Sequence, residues 1–165
     1  MQIIVYSFDS FPWKSELQED FGEALYLKKL KIGLEQLKKR VLDERPGVVI
    51  GIAKASGKQS SIETQTKNQF GLRKPGVILQ DGNETYQLYR PAVINIPFKL
   101  RHHATATFCN YAAYHLAQFI DQNRLPTLPM FAHVAKAEDL GMLKKMITGD
   151  QKHLQDTDQR GFPLV

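Results

Sequence analysis

The chain has 165 residues, of which 42% are hydrophobic and 24% are charged. This is the composition of one ordinary globular domain, and it excludes disordered, collagen-like and fibrous proteins. The formal net charge is +5 at pH 7. The lysines of the first predicted helix are interpreted as a solvated helix face, so we expect no nucleic-acid partner.

Cys109 is the only cysteine of the sequence. A single cysteine excludes an intramolecular disulfide and a zinc site built from several cysteines, and we expect neither a metal nor a cofactor. Residues 1–6 lack the basic flank and long apolar run of a signal peptide, and no apolar stretch reaches membrane-spanning length. The sequence therefore predicts a cytoplasmic protein without a membrane partner.

The first half of the chain has the pattern of a parallel α/β unit. A short β-branched run at residues 3–6 predicts a buried strand. Ser15 and Gln18 resemble a capping box, after which apolar residues at helical spacing predict a helix down to about Arg45. Two glycines could divide this stretch into two helices. Residues 48–53 predict a second buried strand, and strand, helix and strand in this order indicate parallel pairing.

The second half predicts further alternation of strands and helices. Residues 77–79 and 85–88 flank an Asp-Gly pair and predict a β-hairpin. The remaining predicted elements are, in chain order, a strand at 92–96, a helix at 108–121, a buried strand at 130–134 and a helix at 137–147. We expect a single three-layer αβα domain with a mixed, mostly parallel central sheet over residues 1–148, followed by a polar C-terminal tail at 149–165.

Three residues have the chemistry of a cysteine hydrolase. Cys109 lies where a loop meets a predicted helix, and the unpaired N–H groups and positive dipole of a helix N-terminus favour a thiolate. His133 ends the next predicted strand, where an imidazole could accept the thiol proton and later donate it to a leaving amine. Glu63 follows a buried strand through a polar loop, and its carboxylate could orient the imidazole.

Each of these residues also has an ordinary structural interpretation. A lone cysteine is often a small buried hydrophobic residue, a histidine can be a structural hydrogen-bonding group, and most glutamates are solvated. The other histidines that compete for the role of base are His102, His103 and His115. Residue types and positions alone leave these alternatives open.

Five segments then match the pattern of a known family. They are Phe8-Asp9-Ser10-Phe11, then Gly51-Ile52-Ala53 leading to Ser61-Ile62-Glu63, then Asn68 with Arg73 and Pro75, then Cys109-Asn110-Tyr111-Ala112-Ala113-Tyr114, and finally Phe131-Ala132-His133-Val134. In this order, over roughly residues 1–145, they resemble pyroglutamyl peptidase type I, the cysteine peptidases that remove N-terminal pyroglutamate.

The resemblance implies a role for six residues. Cys109, His133 and Glu63 correspond to the family's catalytic residues. The resemblance also implies that Phe8 and Phe11 line the pocket around the lactam ring and that Arg73 lies near the oxyanion. The implied substrate is a peptide or a small amide. Relatives often form dimers or tetramers, so a homo-oligomer is a further expectation.

The sequence also departs from the family. The glycine that precedes the family's cysteine falls on Thr105, and a β-branched residue cannot easily take a glycine's backbone conformation. The chain is shorter, which implies that it lacks a strand between the first two predicted strands and a helix between Glu63 and Cys109. Two alternatives to a pyroglutamyl peptidase therefore remain open. One is a cysteine amidohydrolase of different specificity, and the other is an inactive binding protein with the same fold.

Overall fold

The secondary structure was read from a computed structural model that describes residues 2–71, 73–74, 76–95, 97–102 and 107–158, with side chains up to residue 149. The strands are β1 (Ile3–Phe8), β2 (Ala24–Leu27), β3 (Val48–Lys54), β4 (Ser61–Glu63), β5 (Gln65–Lys67), β6 (Thr85–Gln87), β7 (Lys99–Arg101) and β8 (Leu128–Val134). The helices are α1 (Lys14–Phe21), α2 (Leu30–Glu44), α3 (Phe108–Gln122) and α4 (Asp139–Asp158).

Six strands form the central sheet in the order β2-β1-β3-β8-β4-β7, while β5 and β6 form a separate antiparallel pair. In the central sheet β1 is parallel to β2 and β3, and β3 is parallel to β8. Strand β4 runs antiparallel to β8 and parallel to β7. The apolar runs of β1 and β3 are buried on both faces, as expected for the middle of a parallel sheet. The predicted mixed, mostly parallel sheet is confirmed.

Helices cover both faces of this sheet. Alternate residues of a strand point to opposite faces, so Tyr6 packs with the residues of α2 and α3, while its neighbour Val5 packs with those of α1 and α4. Leu37 and Leu116 are fully buried on the first face, and Leu143 is fully buried on the second. The three-layer αβα architecture is therefore confirmed.

The segment between β1 and β3 differs from the prediction. Strand β2 separates α1 from α2, so the expectation that a strand is missing here is wrong. Helix α1 ends at Gly22, whose φ of 79° is left-handed and whose N–H donates to the carbonyl of Gln18. The predicted capping box is also wrong, because α1 begins at Lys14 and its cap residue Trp13 makes no side-chain capping bond. Between Glu63 and Cys109, the described residues contain no helix, in line with the expectation.

The predicted hairpin is wrong for a reason visible in the side chains. Strand β6 pairs with β5, and residues 77–79 form no strand. The Asn68 carboxamide oxygen accepts hydrogen bonds from the N–H groups of Ile78 and Leu79, while its nitrogen donates to the carbonyl of Leu79. The backbone groups that a hairpin would use are therefore already bonded to a side chain.

The last elements of the chain differ from their predictions mainly in where they begin and end. Residues 92–95 form no strand, and the short strand β7 lies further on. Helix α3 and strand β8 agree with their predictions to within two residues. Helix α4 extends to Asp158, beyond the predicted end at residue 147. The proposed boundary between domain and tail at residue 149 thus falls inside a helix, and the division itself stays a prediction.

The packing between neighbouring strands in the middle of the central sheet requires a glycine at position 51. Gly51 lies opposite Tyr6 on one side and Phe131 on the other, and both rings are buried. A methyl group on Gly51 would stand 2.5 Å from the Phe131 ring and from Tyr6 Cζ. We expect Gly51→Ala to lower the free energy of unfolding by about 1–3 kcal/mol, seen as a lower urea midpoint. Gly57→Ala is the control, since nothing lies within 4 Å of its added methyl group, and equal midpoints for the two variants would contradict this account.

Candidate active site

The sheet topology brings two of the predicted catalytic residues together. His133 is the last residue but one of β8, and it lies opposite Ser61 on the antiparallel neighbour β4. Glu63 is two residues further along β4, so its side chain is on the same face as that of His133 and diagonal to it. This is the face that α3 covers, with Cys109 in its first turn.

His133 and Glu63 form a buried pair. The imidazole Nδ1 lies 3.2 Å from the carboxylate Oε1, but the geometry of this contact is not that of a hydrogen bond. The exposed fraction is 7% for His133 and 2% for Glu63. Neither of the two atoms has a hydrogen-bond partner elsewhere among the described residues. Burial without another partner is costly for both groups, so each is the natural partner of the other.

The imidazole also interacts with Cys109. Burial by itself lowers the pKa of His133, but the nearby polar groups and charges of Cys109 and Glu63 outweigh it and raise this pKa from 6.5 to about 9. Because Nδ1 faces Glu63, Nε2 is the nitrogen left for Cys109. The surroundings of His133 therefore favour the protonated imidazole.

Cys109 is held in place by its neighbour Asn110. The buried Asn110 carboxamide accepts a hydrogen bond from the N–H of Lys67 at 2.9 Å. It donates to the carbonyl oxygens of Lys67 at 2.9 Å and Gln69 at 2.8 Å. The first turn of α3 is thereby fixed to β5, and Cys109 is fixed with it. The sequence motif contained this asparagine, but only the fold shows which backbone groups it binds.

A second buried contact fixes the chain around His133. Ser60 precedes β4, and its hydroxyl donates to Asp139 Oδ2 at 2.6 Å while it accepts from the N–H of Ala135 at 2.8 Å. Both side chains are buried. The start of β4 is thus tied to the end of β8 and the start of α4. Sequence reasoning missed these two residues, because isolated serines and aspartates carry no signal of such a long-range bond.

An open cleft of about 260 Å³ lies beside Cys109. Phe8 and Phe11 both line it, together with Ala53 and Lys54. Phe8 is half-buried at the end of β1, while Phe11 is buried and packs edge-on against Trp13 at 5.7 Å between ring centroids. The two phenylalanines that the resemblance assigns to substrate therefore line the same cleft as Cys109.

The other candidate residues are placed elsewhere. His102 Nδ1 is 3.1 Å from the hydroxyl of Thr64, and the His115 ring packs against Tyr111 at 4.5 Å. Burial, followed by the charge of Lys38, lowers the pKa of His115. Arg73 is exposed in the loop after β5 and is not among the residues that line the cleft, so its role stays a prediction. Of the residues singled out in the sequence, His103, Thr105 and Pro75 lie outside the described residues.

The described residues contain no group of three or more His, Cys, Asp or Glu side chains placed to hold a metal ion. Among the described residues, no helix has the length and apolar character needed to cross a membrane. The cytoplasmic location and the homo-oligomer stay predictions.

Comparison with known proteins identifies the fold. A pyrrolidone carboxyl peptidase from Thermococcus litoralis superposes with a TM-score of 0.77 at 15% identity, over 99% of this chain and 100% of that chain. The enzyme from Pyrococcus furiosus gives 0.77 at 17% identity, over 93% and 100%. Pyroglutamyl peptidase I from Bacillus amyloliquefaciens gives 0.73 at 16% identity, over 90% and 96%. No protein-family model and no curated protein sequence matches the chain. The chain therefore has the fold of the pyrrolidone carboxyl peptidases, which is the family that its motifs resemble.

Proposed function

We propose that the protein is a cysteine peptidase that removes N-terminal pyroglutamate from peptides. The observation that carries this proposal is the buried pair of His133 and Glu63, on the face of the sheet that is covered by the helix with Cys109 in its first turn. The cleft that Phe8 and Phe11 line beside the nucleophile supports it as well. The fold that this chain shares with the pyrrolidone carboxyl peptidases supports the proposal further.

The first half of the reaction forms an acyl-enzyme. The Cys109 thiolate attacks the carbonyl carbon that joins pyroglutamate to the next residue, and the carbonyl oxygen becomes an oxyanion. His133 donates its Nε2 proton to the leaving nitrogen, the C–N bond breaks, and the shortened peptide leaves as an amine. Backbone N–H groups at the start of α3 would stabilise the oxyanion, with Arg73 as the predicted side-chain contributor.

The second half releases pyroglutamate. His133, now neutral, accepts a proton from a water molecule whose oxygen attacks the thioester carbonyl. The C–S bond breaks, the Cys109 thiolate is restored, and the imidazole is again protonated. Glu63 remains a carboxylate throughout and favours the imidazolium in the resting state.

The cleft fits a small, flat and uncharged acyl group. The lactam ring of pyroglutamate has two apolar faces, which Phe8 and Phe11 can contact through their own rings. The cleft, at about 260 Å³, is small by comparison with ordinary ligand sites, which measure about 300–1,000 Å³. A single ring is therefore a better fit than a longer side chain.

The test is hydrolysis of a fluorogenic pyroglutamyl amide by the purified protein. We expect turnover of the pyroglutamyl compound but not of the matched prolyl or glutamyl compounds, which lack the uncharged lactam. Pretreatment with iodoacetamide should abolish this turnover, because it alkylates the thiolate. Cleavage of another small amide in place of the pyroglutamyl one would indicate an amidohydrolase. If no amide is cleaved and Cys109 reacts no faster than free cysteine, the protein is a binding protein.

A further inference from the structure

The cleft beside Cys109 opens into two larger grooves. The first measures about 490 Å³ and shares Phe8, Ser10 and Phe108 with the cleft. The second measures about 520 Å³ and shares Leu30 and Phe108 with the first groove. The three spaces therefore adjoin one another around Phe108, and we call them together the path from Cys109. We call the two spaces beyond the cleft the outer grooves.

The floor of the outer grooves is aromatic and exposed. Phe108 has 60% of its surface accessible although it adjoins the catalytic cysteine, and Ile32 has 57%. The Phe108 ring packs against Phe70 at 5.6 Å, and Phe70 packs against Tyr111 at 5.0 Å. A cluster of exposed apolar side chains next to a candidate active site is typical of a binding surface.

The walls of this path are positively charged. Lys28, Lys29 and Lys31 line the outer grooves and Lys54 lines the cleft, and all four side chains are exposed. None of them forms an ion pair with a carboxylate of the described residues. The acidic residue that lines an outer groove is Asp9, and its carboxylate is already paired with Lys14 at 2.9 Å. The path therefore carries an excess of unneutralised positive charge.

The chemistry of the substrate decides what can fill the outer grooves. Pyroglutamate is the first residue of its peptide and its ring is closed, so nothing extends from it except the chain beyond the scissile bond. If the ring lies in the cleft beside Cys109, only the leaving segment can reach Phe108 and the lysines. An acidic segment would complement the three lysines of the outer grooves, and an apolar residue within it would cover the aromatic floor.

We propose that the outer grooves bind the leaving segment of the substrate and that this segment is acidic, with an apolar residue next to the scissile bond. This inference rests on the proposed function, and it names the class of peptide that the same site selects. Lys28 and Lys31 are the specificity-determining residues of the outer grooves, and Phe108 is their apolar contact.

The test compares two matched peptides, pyroglutamyl-Phe-Glu-Glu and pyroglutamyl-Phe-Gln-Gln, both as C-terminal amides. They have nearly the same shape and differ in charge. At low ionic strength we expect kcat/KM to be higher for the acidic peptide by about fivefold, since exposed pairs contribute only modestly. The ratio should approach one in about 1 M salt, where the screening length falls to roughly 3 Å.

Two double variants with the same change in net charge locate the effect. Lys28→Gln with Lys31→Gln should bring the ratio of the two kcat/KM values close to one. Lys39→Gln with Lys99→Gln is the control, because both lysines are exposed and neither lines the cleft or the outer grooves. This control should keep the wild-type preference for the acidic peptide. Equal ratios for the two double variants would overturn the assignment.

A binding measurement separates this inference from the proposed function. C-terminally labelled forms of the two peptides are titrated with the Cys109→Ala protein and followed by fluorescence anisotropy. Tighter binding of the acidic peptide, lost in the background of Lys28→Gln with Lys31→Gln, supports the inference even if the wild type cleaves neither peptide. Cleavage of both peptides at equal kcat/KM, with equal binding, overturns the inference and leaves the proposed function intact.

Discussion

Cys109→Ala should lower kcat for a pyroglutamyl amide by roughly 10⁴-fold or more, as loss of the nucleophile does in other acyl-transfer enzymes. Alanine has no group that can form the thioester, and His133 then has no thiolate to serve. Cys109 is half-buried and its helix is anchored by the neighbouring Asn110, so the substitution removes one sulfur atom and leaves these contacts in place. The measurement is steady-state hydrolysis of the fluorogenic amide.

Cys109→Ser separates nucleophilicity from size. A serine hydroxyl is close in size to the thiol but is not ionised near neutral pH, so this variant should lose nearly as much activity as the alanine variant. Rapid quenching followed by mass measurement should detect a pyroglutamyl adduct on the wild type and none on Cys109→Ala. If either variant kept more than a tenth of the wild-type kcat, Cys109 would not be the nucleophile.

The sequence pointed to Cys109, His133 and Glu63 as the candidate trio because two kinds of information agreed. Position at strand and helix ends indicated where Cys109 and His133 would lie, and the resemblance supplied Glu63. Strand register then explains why Glu63 reaches His133: β4 is antiparallel to β8, which puts the two side chains diagonally on one face. Neither spacing nor composition reveals the direction of β4, so this contact could not be derived from the sequence alone.

The wrong predictions have a common physical cause: long-range contacts in the folded chain decided the structure where the local sequence pattern suggested another one. The Asp-Gly pair suggested a hairpin, but the Asn68 side chain binds the backbone of Ile78 and Leu79. The sequence analysis assigned β2 to a helix, because a strand of only four residues, three of them half-buried, leaves little periodic signal. The positive charge of the path from Cys109 could not be predicted either, because only folding brings Lys28, which follows β2, near Lys54 at the end of β3.

Glu63→Gln should lower kcat by about 10³-fold, since an amide in place of the carboxylate that orients the base has a large effect in comparable triads. The amide has nearly the same shape, so the packing around it is kept. It carries no charge, however, and the imidazolium loses one of the two anionic groups that favour it. The pKa of His133, which is about 9 in the wild type, should therefore fall.

The pH profile tests this account separately from stability. In the wild type His133 must be protonated to serve the leaving amine, so kcat/KM should fall as pH rises through about 9. In Glu63→Gln this alkaline limb should lie at lower pH. Glu63→Asp is the control, because it keeps the charge on a shorter side chain and should lose activity without moving the limb as far. An unchanged limb in Glu63→Gln would show that the carboxylate does not act on His133.

The same raised pKa predicts how stability depends on pH. The folded protein holds the His133 proton more tightly than the unfolded chain, whose histidine titrates near 6.5. The stability from the imidazolium is therefore fully present below about pH 6.5, and it is lost as pH rises through about 9. The free energy of unfolding, measured with urea between pH 6 and 10, should decline less steeply in Glu63→Gln than in the wild type. Equal slopes would mean that Glu63 does not contribute to the raised pKa, and orientation of the imidazole would then be its remaining role.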